Sequence, residues 1–181
     1  MGAYTDRILL HDLHFVPFLD KREIAQRVKK LGETLRRDCG EHAPVFLVVL
    51  NGSFVFAADL IRAFDAPCTV EFVKLRSYHG TASTGNVRID LGPAESLRGR
   101  HVVVVEDIVD SGQTLHAFLP LLEEMGPASV RLCALLHKPE ATVHPLVVDY
   151  LGFAIPNVFV VGYGLDYNGL GRNLPDIWRL Q

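Results

Sequence analysis

The chain has 181 residues, 49% hydrophobic and 22% charged, which is enough apolar material for one domain with its own core and too much for intrinsic disorder. A formal net charge of -3 excludes the broad basic surface with which nucleic-acid binders neutralise phosphates, so no nucleic-acid partner is expected. Cys39, Cys68 and Cys133 are odd in number, widely spaced and without a CxxC pair, which argues against a disulfide framework or a zinc site and for idle thiols in a reducing cytoplasm.

The first residues read neither as a secretory leader nor as a lipidation signal. Asp6, Arg7, His11 and Asp12 surround a short apolar run from Ile8 to Leu10, and Asp6 stands where a myristoylation motif after Gly2 needs Ser or Thr. No apolar run is long enough to span a bilayer, so a cytoplasmic protein without membrane partners is expected. Asp20 followed by Glu23 forms a capping-box signature, and Ile24, Val28, Leu31 and Leu35 recur at helical spacing, predicting a helix over Lys21–Arg37. Val45–Leu50 reads as a buried strand feeding a turn at Asn51-Gly52-Ser53, and Phe54–Phe64 as a helix.

Thr69–Leu75 is β-rich, whereas Ser77–Asp90 carries Gly80, Ser83, Thr84, Gly85 and Asn86 and is expected to be a long loop. His101–Val105 predicts a β-branched strand and Thr114–Met125 a helix kinked by Pro120. Further strands are expected near Val130–Leu136, Leu146–Tyr150 and Val158–Val161, with residues 1–20 and 162–181 forming a small flap beside the sheet. Alternating strands and helices over residues 1–181 imply a single α/β domain with a mainly parallel, twisted sheet, which binds ligands beyond its strand carboxyl ends. His11 and His14 have no acidic or thiol cluster at metal-site spacing around them.

The segment HVVVVEDIVDSGQTL, His101–Leu115, carries the chemistry. A buried strand ends in Glu106 and Asp107, Asp110 follows, and Ser111, Gly112, Gln113 and Thr114 open a helix whose amides and hydroxyls suit a phosphate. Gly112 permits close backbone approach, and the spacing is not that of a Walker loop. Adjacent carboxylates repel a bare phosphate, so ribose hydroxyls or a metal ion must lie between them and it. A sugar phosphate satisfies both halves. The competing reading has Glu106 and Asp107 merely pairing near a strand end and Asp110 merely forming a turn.

EDIVDSGQT resembles the phosphoribosyl pyrophosphate motif of the type I phosphoribosyltransferases. LNGS at Leu50–Ser53, Ser77-Tyr78 with Ser83-Thr84-Gly85, LLHKP around Lys138, and FVVGYGLDYNGLGR from Phe159 to Arg172 resemble the pyrophosphate loop, catalytic lid and base-binding segments of the hypoxanthine-guanine members. The resemblance implies their fold, a twisted sheet with a hood from the termini. It also implies purine salvage: transfer of the 5-phosphoribosyl group from phosphoribosyl pyrophosphate to hypoxanthine or guanine, giving IMP or GMP and pyrophosphate. Xanthine remains a third base, and a non-catalytic sensor of phosphoribosyl pyrophosphate is the rival from another class.

By the same resemblance Asp110 is the catalytic acid or base, Ser111, Gly112, Gln113 and Thr114 hold the 5-phosphate, and Glu106 and Asp107 meet the ribose. Lys138, Phe159, Val160 and Asp166 serve the purine subsite, Lys138 facing its six-position oxygen and Phe159 stacking on the ring. Asn51, Gly52 and Arg172 meet pyrophosphate, with Asn51 where many members have Lys and with a Leu50–Asn51 peptide that can be cis. Ser77 and Tyr78 belong to a lid. Mg2+ is the expected cofactor, with Asp166 as ligand and Glu106 and Asp107 reaching a metal directly or through the ribose diol. A homodimer or homotetramer is the implied assembly.

Overall fold

A computed structural model describes residues 6–77, 87–91 and 97–181. The first elements are β1 (Ile8–Leu10), β2 (Leu13–Leu19) and α1 (Lys21–Cys39). Next come β3 (Val45–Leu50), α2 (Phe54–Phe64), β4 (Thr69–Ser77) and β5 (Val87–Leu91). The chain continues through β6 (His101–Val109), α3 (Gln113–Glu124), β7 (Ser129–His137), β8 (Tyr150–Ala154), β9 (Val160–Val161) and β10 (Ile177–Leu180). The main sheet has the order β5-β4-β3-β6-β7-β8, in which β5 is antiparallel and the other five strands are parallel.

The two-residue period of each central strand divides the core between the faces of the sheet. Phe46, Val48, Val103, Val105 and Cys133 point to α1 and α2, where Ile24, Val28, Leu35, Phe56, Leu60 and Phe64 cover them. Val45, Leu47, Val102, Val104 and Leu132 point the other way, to Leu115, Phe118 and Leu122 of α3. The capping box is present: Asp20 accepts from the Arg22 amide, and Glu23 accepts from the Asp20 amide at 3.2 Å. Gly32 lets α1 approach α2 closely, since a Cβ there would lie 2.6 Å from the Ala63 backbone.

The expected flap is a second antiparallel sheet, in the order β1-β2-β10-β9, closed over Phe15, Val161 and Trp178. Trp178 lies opposite Pro17, and the register shifts between Ile177 and Trp178, as a strand residue without an amide proton favours. Val160–Val161 therefore belongs to the hood and not to the main sheet.

Three other expectations change. Val87–Leu91 is a strand paired with β4, Ser77 opposite Val87, because Val87, Ile89 and Leu91 alternate with polar residues. The remainder of the expected loop, 78–86, lies outside the described residues. The strand expected at Leu146–Tyr150 is instead Tyr150–Ala154. The Asp149 carboxylate takes the Leu132 amide at 2.8 Å and Arg131 at 2.9 Å, so a side chain occupies the ladder position that a strand backbone would have filled. Finally, β6 continues to Val109, which puts Glu106 and Asp107 on the strand itself.

Candidate active site

The parallel strands deliver their carboxyl ends to one side, where the hood overhangs them. After β3 the chain turns through Asn51, Gly52 and Ser53, and the Leu50–Asn51 peptide is cis. A Cβ at Gly52 would lie 1.6 Å from Asp107 Oδ2, so the bare Gly52 backbone rests against the carboxylate of the neighbouring strand. Gly164, with φ +104°, lies on the Gly52 carbonyl, where an added Cβ would sit 2.1 Å from the oxygen. Both the conformation and the contact require glycine.

Glu106 and Asp107 form a coupled carboxyl pair. Burial foremost, then the Asp107 charge and their mutual hydrogen bond, hold Glu106 well above the usual glutamate range. Burial also raises Asp107, opposed by hydrogen bonds from Glu106 and the Ile108 amide (2.8 Å to Oδ1) and by the Arg172 charge. Glu106 is the member that keeps its proton more readily. Its Oε2 is sealed from solvent without a hydrogen-bond partner among the described residues, an arrangement that a hydroxyl-bearing ligand would complete.

At the turn into α3, Gly112 is the N-cap with φ +76°, and an added Cβ would meet the His144 carbonyl at 2.7 Å. The Ser111 carbonyl is taken from behind by the Val143 and His144 amides at 3.0 and 3.1 Å. Ser111 Oγ accepts from the Gln113 amide at 3.3 Å, and Thr114 lies in the first turn. Residues 143 and 144, just before the expected strand at 146–150, thus brace the turn. They hold in place the turn that leads into the first turn of α3.

Lys138 follows β7 and is almost fully buried, yet its ammonium reaches Asp110 Oδ2 at 2.7 Å. Asp110 is half-exposed, so the pair couples a buried donor to a carboxylate open to the cleft. Thr142 Oγ1 lies 3.1 Å from the Asp110 carbonyl, 3.0 Å from the Lys138 carbonyl and 3.0 Å from His137 Nε2. This hydroxyl clasps both turns together.

The hood supplies the facing wall. The Phe159 ring is 43% exposed and packs edge-on to Tyr167 and tilted against Phe15, while Val160 is buried and pairs with Arg179. Asp166 Oδ1 pairs with Arg172 at 2.6 Å and Oδ2 accepts the Gly169 amide at 2.7 Å. Arg172 Nη1 also donates to the Gly164 carbonyl at 2.6 Å. Among the described residues no three acidic, histidine or cysteine side chains converge as a metal cluster. Asn51 is exposed, Ser77 ends β4, and Tyr78 lies outside the described residues.

Sequence reasoning did not single out Thr142, nor the hydrogen bond from Tyr163 to Asp59. Thr142 stands in no motif, and Tyr163 lies within the Phe159–Arg172 segment without a role assigned to it. Only the fold brings Thr142 under Asp110, although its place a few residues after Lys138 was a usable signal.

Comparisons with known proteins agree with this geometry. Residues 17–168 match the phosphoribosyl transferase domain family. The hypoxanthine-guanine phosphoribosyltransferase of Streptococcus pneumoniae is 44% identical over 160 residues, 88% of this chain and 89% of that one. The enzyme of the same name from Lactococcus lactis is 42% identical over 164 residues, 90% and 89% of the two chains. Among solved structures, a hypoxanthine phosphoribosyltransferase from Staphylococcus aureus superposes with a TM-score of 0.85 at 38% identity, covering 91% of this chain and 90% of its own. Matched by the family model over residues 17–168, and by relatives and a solved structure over most of its length, the chain belongs to the phosphoribosyltransferase family.

Proposed function

We propose that this protein is a purine-salvage enzyme that transfers the 5-phosphoribosyl group of phosphoribosyl pyrophosphate to hypoxanthine or guanine. A bond forms between the ribose anomeric carbon and a nitrogen of the purine five-membered ring, the bond to pyrophosphate breaks, and the base loses a proton. The observation that carries the reading is the 2.7 Å pair of Lys138 and Asp110 beside the phosphate turn. A six-oxo purine presents a carbonyl oxygen next to its five-membered ring, so one ammonium donor and one carboxylate acceptor side by side match it. Asp110 takes up or returns the ring proton, a role worth about a hundred- to ten-thousand-fold.

Ser111, Gly112, Gln113 and Thr114 hold the 5-phosphate through amides and hydroxyls. The unpartnered Glu106 Oε2 accepts from a ribose hydroxyl, with Asp107 beside it. Asn51 and Gly52 offer backbone to pyrophosphate, and Arg172 adds a guanidinium that is already aimed by Asp166 and the Gly164 carbonyl. Phe159 stacks on the purine, and Val160 gives backbone polar groups to its edge. Ser77 and Tyr78 belong to the lid that excludes water from the cationic ribosyl centre.

Magnesium fits this donor set of hard carboxylate oxygens, Asp166 with Glu106 and Asp107, and when bound supplies charge neutralisation of the pyrophosphate oxygens. Because pyrophosphate brings most of a metal's ligands, two or three dispersed carboxylates suffice. No helix among the described residues is long and apolar enough to cross a membrane. A cytoplasmic homodimer or homotetramer is the expected form, measurable by light scattering.

The test is incubation with phosphoribosyl pyrophosphate, magnesium and, separately, hypoxanthine, guanine, xanthine and adenine. IMP or GMP is the expected product. Binding of phosphoribosyl pyrophosphate without product from any base would favour a sensor instead.

A further inference from the structure

We propose that Asp59 and Tyr163 act as a positioning latch, holding the hood segment against the turn at residues 51–53 and thereby setting affinity for the pyrophosphate end of the substrate. This rests on the function proposed above. Tyr163 is buried and carries a positive φ of 50°. Its phenol donates to Asp59 Oδ2 at 2.6 Å across 104 positions of sequence, and the other Asp59 oxygen is held by Arg62. Burial and the carboxylate keep the phenol far above the usual tyrosine range, so it stays a donor at any working pH.

What the latch holds is specific. Asp59 lies on α2, roughly 8 Å along the helix axis from the turn that α2 continues. The residue after Tyr163 is Gly164, whose backbone rests on the Gly52 carbonyl. Gly164 also donates its amide to the Arg172 carbonyl at 3.0 Å and accepts from the Arg172 guanidinium at 2.6 Å. This hydrogen bond therefore ties the residue before Gly164 to α2, and Gly164 touches Gly52 and Arg172, two of the three residues assigned to pyrophosphate.

The Tyr163 ring also packs in the main core, and the hydrogen bond adds direction to that contact. A cavity of about 550 Å³ lined by Phe54, Val55, Asp59, Tyr163 and Arg172 borders the joint, leaving that side of the segment unwedged. Burying a tyrosine instead of a phenylalanine is costly unless the hydroxyl is partnered, and the partner here sits on a partly exposed helix face that needs no carboxylate for its own burial. Among the described residues the hydrogen bonds of the latch run to neither Phe159 nor the Lys138–Asp110 pair.

Three variants test it: Tyr163→Phe, Asp59→Leu and Asp59→Asn, the last retaining an oxygen acceptor for the phenol. KM is measured for phosphoribosyl pyrophosphate and for hypoxanthine, with KM for inorganic pyrophosphate in the reverse direction. The dissociation constant for phosphoribosyl pyrophosphate with magnesium is measured by calorimetry, and Tm alongside. Loss of one hydrogen bond that orients a charged site should raise KM and Kd for phosphoribosyl pyrophosphate, and KM for pyrophosphate, about tenfold in Tyr163→Phe and Asp59→Leu. KM for hypoxanthine should stay within about twofold, and Asp59→Asn should recover most of the affinity. Unchanged pyrophosphate-side constants overturn the latch, as does a parallel rise for both substrates with a fall in Tm, or an Asp59→Asn variant as weak as Asp59→Leu. The calorimetric arm keeps the two readings distinct: wild-type protein that binds phosphoribosyl pyrophosphate but makes no nucleotide refutes the enzyme and still tests the latch. Wild-type protein that does neither overturns both.

Discussion

Gly52→Ala is a sharp perturbation of the proposed site because it acts on one carboxyl group. The new methyl group would lie 1.6 Å from Asp107 Oδ2 and 2.6 Å from its Cγ. Ordinary contact is about 3.5 Å, so the carboxyl must retreat by roughly 2 Å. Gly52 is not among the residues with positive φ, so alanine can adopt its backbone conformation and the clash falls on Asp107. Retreat breaks the 2.8 Å bond from the Ile108 amide. An orphaned buried amide costs about 1–3 kcal/mol, which for a chain of this size lowers Tm by roughly 2–12 °C. A carboxylate moved off the ribose loses charge-assisted hydrogen bonds worth about 1.5–3 kcal/mol, so KM for phosphoribosyl pyrophosphate should rise about ten- to hundredfold while KM for hypoxanthine changes little. The assay is initial rates with each substrate varied at saturation of the other, with Tm by scanning calorimetry. In Gly52→Ala/Asp107→Ala the collision is gone while the Ile108 amide still lacks its acceptor, so the double variant should match Asp107→Ala alone in both Tm and affinity. A Gly52→Ala protein with wild-type KM and Tm refutes the contact and the role built on it.

Asp110→Asn should lower turnover about a hundred- to ten-thousand-fold while binding of IMP, measured by calorimetry, persists; unchanged turnover removes Asp110 from the chemistry. Lys138→Gln should lower the preference for hypoxanthine over adenine by about tenfold or more, because glutamine can accept as well as donate hydrogen bonds; an unchanged ratio of kcat/KM refutes the assignment. Glu106 and Asp107 titrate above their unfolded values, so the folded chain holds protons there that the unfolded chain releases. Their stabilising contribution is complete below the ordinary carboxyl range and is lost as pH rises through it towards the elevated folded values. Glu106→Gln, permanently neutral, should therefore show a flatter fall of Tm with rising pH in the unliganded protein; parallel Tm profiles refute the linkage.

Where local sequence carried the signal, it was sufficient. The β6–α3 segment is contiguous, so its acids and phosphate turn could be read in order, and the apolar runs of β3, β6 and β7 announced a parallel sheet. For α1 the capping box and the apolar spacing were enough. What escaped depends on partners remote in sequence. Asp149 takes the place of a strand opposite Leu132, and no periodicity reveals a carboxylate substituting for a ladder. The hood strands β1 and β10 are very short, β2 contains Pro17, and their pairing is set by tertiary register. The Lys138–Asp110 ion pair follows from two adjacent strand ends, which sequence placed near each other without specifying contact.

The hood has a consequence for how the site is closed. It joins distant chain segments: the Lys21 amide reaches Asp176 at 2.8 Å across 155 positions, and β2 and β10 pair along their length. Closing a loop of that size costs about 4–5 kcal/mol in chain entropy beyond a constant, before its contacts contribute. The phosphate turn and its acids, by contrast, span neighbouring residues and are complete once β6 and α3 dock on the sheet. The two halves of the cleft thus differ in what closes them: the turn into α3 joins residues near in sequence, whereas the hood exists only where the distant segments around Phe15 and Trp178 meet.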